Sequence, residues 1–443
     1  MKKQILYSAL LSSAVLVSCQ SNSNSDKGND SLENDTTVAT SVQELNLPAP
    51  DTAASKNKFS KVIDWPAGKT PIAPEGFAVS RFATGIKSPR NMIITPNGDV
   101  LIVLTNSERS AVEAVANTVT GKAKSEVPGK SANSILLYRD ADKDGKAETI
   151  TTFLSGLNQP YGMTIIGNNF YVANTDGILQ YPCKPGDTKI TANGKKILSL
   201  PAGGYNNHWT RNLITNADKS KIYVTVGSGS NVGENGMENE VRRANILEIN
   251  PDGTGEKIYA SGLRNPVGVD WAPGTNTLWT AVNERDGLGD ELVPDYITSV
   301  KQGAFYGWPF SYYGQNEDPR MKGKNPELVK KAIAPDVPVG SHTASLGLAF
   351  YKATKFPAKY QGGAFIGQHG SWNRSALTGY KVAFVPFKNG KPTGKPEDFL
   401  TGFIANAEKG EVYGRPVGVT LTPDGALLVA DDVSGIVWRV AAK

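Results

Sequence analysis

One motif recurs from residue 85 to the C-terminus, and few folds can accommodate it. A corner marked by Pro or Gly leads into an apolar strand, a tight turn and a second strand. The clearest copies begin at Ser88-Pro89-Arg90-Asn91-Met92-Ile93-Ile94, with the turn Asn97-Gly98, and at Arg415-Pro416-Val417-Gly418-Val419, with the turn Asp424-Gly425. Others start at Gln159-Pro160-Tyr161-Gly162-Met163, Asn212-Leu213-Ile214, Asn265-Pro266-Val267-Gly268-Val269 and Leu346-Gly347-Leu348-Ala349-Phe350, giving about six copies. Asn-Gly and Asp-Gly tolerate the positive φ angles of type I′ hairpin turns. Short strands at a long, regular period read as repeated antiparallel blades. One blade cannot cover its own two apolar faces, so the blades must pack around an axis. The expected fold is all-β, a six-bladed β-propeller with long inter-strand loops, occupying residues 56–443. Residues 76–82 supply an N-terminal strand that closes the ring beside residues 435–440. No long segment shows the 3.6-residue period of a helix. Two stretches break the blade period. Residues 107–133, rich in Ala, Lys and Ser, read as a long loop, and residues 300–340 as an insertion over one face.

The N-terminus reads as an export signal. Lys2 and Lys3 precede a short apolar run over residues 5–17, too short for a comfortable membrane span. The run ends in Leu16-Val17-Ser18-Cys19, which resembles a bacterial lipobox. That resemblance implies a signal peptide over 1–18, a lipid anchor at Cys19 and, with Gln20 rather than Asp next, an outer-membrane lipoprotein of the cell envelope. Residues 19–55, rich in Ser, Asn, Asp and Thr, bury too little surface to offset ordering entropy and read as a flexible tether. The formal charge of +5 falls to +3 with the two lysines of the signal. That is weak for this length, and no basic stripe suggests nucleic acid. With Cys19 lipidated, Cys183 has no partner for an internal disulfide. No Cys-x-x-Cys-His occurs for covalent haem, so any redox chemistry must pass its electrons to a separate acceptor.

The chain has only three histidines, each in a polar, Gly- or Asn-flanked cluster. Histidine is the side chain best suited to take a proton near neutral pH. His208 lies in Asn207-His208-Trp209-Thr210-Arg211-Asn212, just before a predicted inner strand. Loops there line the axial mouth of a propeller, so His208 can accept a hydroxyl proton and Arg211 can pair with a carboxylate. His369 and Arg374 share one turn with Ser371, Trp372 and Asn373, and Arg415, just before the last copy's strand, sits within about a residue of where Arg90 sits in the first copy. Several arginines at one mouth point to a polyanionic ligand; scattered surface arginines are the alternative. His342, in Ser- and Thr-rich company, reads as structural. Asn283-Glu284-Arg285-Asp286-Gly287 offers oxygens on an irregular turn, suited either to Ca²⁺ or to solvent. Gly227-Ser228-Gly229-Ser230-Asn231 lets backbone approach a flat ligand, or is a plain turn. Asp140-Ala141-Asp142-Lys143-Asp144-Gly145 begins like a calcium loop but lacks the twelfth-position Glu, and reads as a structural turn.

On these motifs, with Ser261-Gly262-Leu263-Arg264-Asn265-Pro266 and Tyr306-Gly307-Trp308-Pro309, the chain resembles the soluble-type sugar dehydrogenases that use pyrroloquinoline quinone, most closely the branch named for L-sorbosone dehydrogenase. The resemblance runs from about residue 70 to the C-terminus. It implies a propeller holding the quinone and Ca²⁺ in its mouth and oxidising an aldose or related sugar aldehyde. His208 matches the general base, Asn231 and Arg415 match cofactor contacts, and the carbonyls of Glu284, Arg285 and Asp286 match the metal-binding segment. The soluble glucose enzymes carry Arg where this chain has Ser230. They also carry a Lys on the strand matching residues 364–369, which here has none. Arg211, Glu284, His369 and Arg374 are the expected further contacts of the cofactor. Two other readings stay open on sequence: a calcium-dependent propeller lactonase, which needs a cage of Asn, Asp and Glu at the axis, and a non-catalytic sugar-binding propeller.

Overall fold

A computed structural model describes residues 45–53, 56–109, 111–142 and 145–443. The signal peptide and Cys19 lie outside these residues. Among them, six four-stranded antiparallel sheets follow one another along the chain. The first comprises Pro89–Ile94, Val100–Leu104, Ser134–Arg139 and Thr149–Leu154. The innermost strands of the others are Met163–Ile166, Leu213–Thr215, Pro266–Trp271, Ala349–Phe350 and Pro416–Leu421. Each innermost strand touches the next, and Pro416–Leu421 touches Pro89–Ile94, so the circuit closes around an axis as in a β-propeller. Phe77–Ala83 pairs antiparallel with Ile436–Ala442, so the last sheet is completed by the N-terminal strand.

The apolar runs explain this stacking. Side chains along a strand alternate between its two faces. In Val100–Leu104 the residues Val100, Ile102 and Leu104 join a cluster with Leu428, Ala430 and Val437 of the sixth sheet. Leu101 and Val103 join Phe170 and Val172 of the second. Four further clusters fill the remaining gaps between neighbouring sheets. Strands buried on both faces therefore need no polar alternation. Around the axis the innermost strands run almost backbone to backbone. A Cβ placed on Gly418 would lie 2.5 Å from the Arg90 carbonyl oxygen, so only glycine fits that crossing. Tyr161, Val267, Leu346 and Val417 form a small apolar plug on the axis.

Two expectations change. The segment 107–133 holds an α-helix, Ala111–Thr120, and a 3₁₀ turn, Lys122–Ser125. Alanines at 111, 114 and 116 favour the helix, and Gly121, at φ 82°, ends it. Of the stretch read as tether, residues 45–53 are attached to the body: Leu45 and Leu47 pack against the cluster between the third and fourth sheets, and the Asp51 N–H donates to the Leu288 carbonyl at 3.0 Å. The insertion at 300–340 links the third and fourth strands of the fourth sheet. It carries a hairpin, Ser311–Tyr312 with Asn316–Glu317, and a short helix, Pro326–Lys331, capped by Asn325.

Candidate active site at the propeller mouth

The corners that precede the innermost strands gather at one mouth. There a cavity of ≈ 200 Å³ is bordered by His208, His369, Arg90, Arg264, Arg415 and Asp286, among others. A larger cavity of ≈ 630 Å³ lies along the innermost strands beyond the apolar plug; its wall is mainly strand backbone and apolar side chains, and it holds none of the three histidines.

His208 is buried with its ring fixed. Nδ1 lies 2.9 Å from both the carbonyl oxygen and the hydroxyl of Ser228. A carbonyl only accepts, so Nδ1 carries the hydrogen and Nε2 holds the lone pair. Burial, and then the charge of Arg264, depress its pKa well below 6.5, so the ring is a neutral base near neutrality. The turn that holds it is itself braced. The Ser228 hydroxyl donates to the Ser230 carbonyl at 2.6 Å. The Glu240 carboxylate accepts from the Gly229 and Ser230 amides at 2.7 and 2.9 Å and from the Ser230 hydroxyl at 2.5 Å. A Cβ on Gly227 would meet Asn265 Oδ1 at 2.5 Å and His208 Cβ at 2.7 Å, so the close approach requires glycine.

A second histidine faces the cavity with different chemistry. His369 Nε2 lies 2.9 Å from Asp432 Oδ1, and Arg90 Nη1 lies 2.5 Å from Oδ2 of the same carboxylate. Burial and the nearby Arg415 charge press His369 down to about 4, so it donates to Asp432 as a neutral ring. Burial alone would raise Asp432, but His369, charged only in the acid range where this carboxyl titrates, and Arg90 outweigh it and hold the carboxyl well below its usual range. Arg415 donates from Nε to the His369 carbonyl at 2.9 Å, from Nη2 to Gly370 at 3.0 Å and from Nη1 to Ser125 at 3.0 Å.

The third histidine stands behind the wall. His342 has Nδ1 at 3.2 Å from Asp286 Oδ1 and Nε2 at 2.9 Å from the Gly289 carbonyl. Both nitrogens face acceptors, which favours the doubly protonated ring. Burial opposes this charge, but Asp286 prevails and the pKa is raised.

The remaining predicted residues divide. Asn231 does not border the cavity, but it locks the loop that does. Its Oδ1 accepts from the Asp286 amide at 2.9 Å and from Arg264 Nη2 at 2.8 Å, and its Nδ2 donates to the Asp286 carbonyl at 2.9 Å. Arg211, expected to meet the cofactor, is fully buried behind the histidine. Its guanidinium donates to the carbonyls of His208, Thr210 and Pro201, because its own loop curls over it. Burial and Arg243 lower it to about 9. Arg374 pairs with Glu291 at 2.6 Å and stays outside the cavity wall.

Of the metal candidates, only Asp286 reaches the cavity. Glu284 turns inward, where its carboxylate accepts the Arg285 amide at 2.9 Å and burial raises it to about 7. Arg285 pairs with Asp318 at 3.2 Å. The carbonyls of Asn283 and Glu284 accept from Arg264 at 3.1 and 2.6 Å, and that of Asp286 accepts from Asn231. A divalent ion on these oxygens would sit against a guanidinium, whose charge opposes it. As arranged, the loop does not fit Ca²⁺. Among the described residues, the one group of three carboxylates close enough to share an ion is Asp140, Asp142 and Glu148, on a hairpin in the first sheet.

An anionic ligand fits the mouth better. Five cations border it, namely Arg90, Arg109, Lys122, Arg264 and Arg415, against three carboxylates, Glu126, Asp286 and Asp432. Nε of Arg90 and of Arg109 are buried without a hydrogen-bond partner. Sequence reasoning gave Arg264 no role, although it stands in the corner ahead of an innermost strand, two residues before Pro266 as Arg415 is one before Pro416. Asp432, Lys122 and Glu240 carried no comparable signal.

The chain is similar to several known proteins. A family model described as glucose/sorbosone dehydrogenase matches residues 184–439, more than half of the chain. An uncharacterized protein of Borreliella burgdorferi is 30% identical over 308 residues, covering 67% of this chain and 79% of that protein. An aldose sugar dehydrogenase of Escherichia coli is 34% identical over 200 residues, 44% of this chain and 46% of the relative's length. The holo form of the PQQ domain of a pyranose dehydrogenase from Coprinopsis cinerea superposes with a TM-score of 0.66 at 19% identity, covering 87% of this chain and all of that domain. At that identity the likeness is one of fold.

Proposed function

The chain belongs to the glucose/sorbosone dehydrogenase family, and on that premise we propose that it oxidises an aldose or a related sugar aldehyde, sorbosone-like in character, with pyrroloquinoline quinone as cofactor. The observation that carries this reading is a neutral, oriented histidine in a cavity whose wall holds more cations than carboxylates. Arg90, Arg264 and Arg415 would hold the acidic quinone, as the donor set suits its carboxylates. When bound, the quinone supplies the two-electron sink that takes hydride from the sugar carbon. The protein must then remove the hydroxyl proton, and His208 Nε2 is the lone pair placed for it. Ser228 keeps that lone pair on Nε2 by holding the hydrogen on Nδ1, and the Asn207 carboxamide nitrogen lies 3.5 Å from Nε2. Calcium, implied by the family resemblance, carries no step in this reading, because Arg264 already occupies the Asn283 and Glu284 carbonyls. The electrons then leave to a separate acceptor, a quinone or a cytochrome. The export signal and Cys19 would tether the enzyme in the cell envelope. The lactonase alternative needs a carboxylate and carboxamide cage at the axis, and the described acids that could share an ion lie away from it.

The test is reconstitution with the quinone, with and without added calcium, followed by dye reduction across an aldose panel. His208→Ala should lower turnover by about 10²–10⁴-fold while keeping quinone binding. Because the neutral ring is the base and its pKa is depressed, activity should persist as pH falls past 6.5 and decline only at more acid pH. Undiminished turnover in His208→Ala would remove the base assignment, and lactone hydrolysis without dye reduction would remove the dehydrogenase.

A further inference from the structure

Lys122 reaches the mouth from the segment between the second and third strands of the first sheet, as Arg109 also does. It comes from the short turn Lys122–Ser125, which lies outside the six sheets, yet it borders the same cavity as His208 and Arg415. The turn is pinned there by the site itself. Arg415 Nη1 donates to the Ser125 carbonyl at 3.0 Å, and the Ser125 hydroxyl donates to the Lys122 carbonyl at 2.7 Å.

The neighbouring charges are already matched. Arg109 pairs with Glu126 at 2.9 Å, Arg264 with Asp286 at 3.2 Å and Arg90 with Asp432 at 2.5 Å. Among the described residues, neither Lys122 nor Arg415 forms a salt bridge with a carboxylate. The Lys122 ammonium instead lies 5.4 Å from the centre of the Trp372 ring, which is stacked on Phe59. A half-buried ammonium held by a ring face, with no carboxylate in direct contact, is unfavourable unless something anionic enters beside it. Burial, with Arg109 next, lowers its pKa, and the carboxylates of Glu126 and Asp286, which are not in contact with it, do not offset this.

Resting on the quinone reading above, we propose that Lys122 is a cofactor-binding residue: its ammonium meets a carboxylate of the bound quinone beside Arg415, from a turn that the propeller strands do not supply. A charge-assisted contact of this kind changes affinity by about tenfold or more.

The experiment titrates the full-length apo-protein with pyrroloquinoline quinone and follows the quenching of tryptophan fluorescence, independently of turnover. Lys122→Met should bind about tenfold more weakly at an unchanged circular dichroism spectrum. Lys122→Arg should recover most of the loss, since it restores the charge. Equal affinity in the unaltered protein and Lys122→Met overturns the lysine assignment alone. No binding by the unaltered protein overturns the quinone reading, and this assignment with it.

Discussion

Glu240→Gln tests the brace beneath His208, the proposed base, with the least change of shape. In the unaltered protein both carboxylate oxygens accept: Oε2 from the Gly229 amide, and Oε1 from the amide and hydroxyl of Ser230. The carboxamide has one accepting oxygen and one donating NH₂. Whichever way it turns, a donor faces a buried backbone N–H, and at least one charge-assisted bond is lost. A lost bond to a charged group and a stranded donor together amount to about 2–4 kcal/mol. Urea unfolding should show a lower midpoint at an unchanged slope, because the surface exposed on unfolding is the same. The effect should also reach the chemistry. Ser228 donates to the carbonyl of Ser230, so a slipped turn moves the group that holds His208 Nδ1. Turnover should fall about tenfold to a hundredfold, the cost of a small misplacement, while quinone affinity holds. A variant that unfolds at the same urea concentration as the unaltered protein refutes the brace. One that is destabilised yet fully active refutes its link to His208.

Asp432→Asn leaves the half-buried Arg90 without its counter-charge and should cost about 2–4 kcal/mol near neutral pH. The folded pKa of Asp432 lies below its ordinary 3.8, so its contribution is complete above that value and is lost as pH falls beneath it. The difference between variant and unaltered protein, read by urea unfolding against pH, should therefore narrow below pH 3.8; a constant gap would contradict the pairing. Arg415→Ala removes the link between the Gly370 corner and the turn that carries Lys122. Calorimetric quinone titration should weaken by more than about tenfold while the sugar KM moves less, and the reverse pattern would place Arg415 on the sugar side.

The propeller was legible because its signal is local and repeated. A strand buried on both faces shows as an unbroken apolar run such as Val100-Leu101-Ile102-Val103-Leu104, and each run is preceded by the same kind of corner. His208 was legible for a related reason, since its loop stands immediately before an innermost strand. The arginines were not legible to the same degree. Arg211 and Arg264 occupy equivalent corners and each is followed by Asn, yet one folds back onto its own loop and the other reaches across to Asn283 and Glu284. What separates them is the direction in which nearby carbonyls point, and that is fixed by the long inter-strand loops, which carry no period. The same reasoning covers the metal candidates. The residues 284–286 have the composition of an oxygen-rich turn, but composition does not reveal that Arg264 and Asn231, 20 or more residues away in the chain, already fill those carbonyls. Lys122 is the extreme case. The alanines around 111–116 favour a helix and Gly121 ends it, both readable in principle, but the turn that carries the lysine is tied to the mouth by Arg415, 290 residues further on, which bonds Ser125. In a ring closed by its first and last strands, the mouth is assembled from residues distant in sequence. Local pattern therefore identifies the blades, while the charge balance of the site depends on contacts that only closure creates.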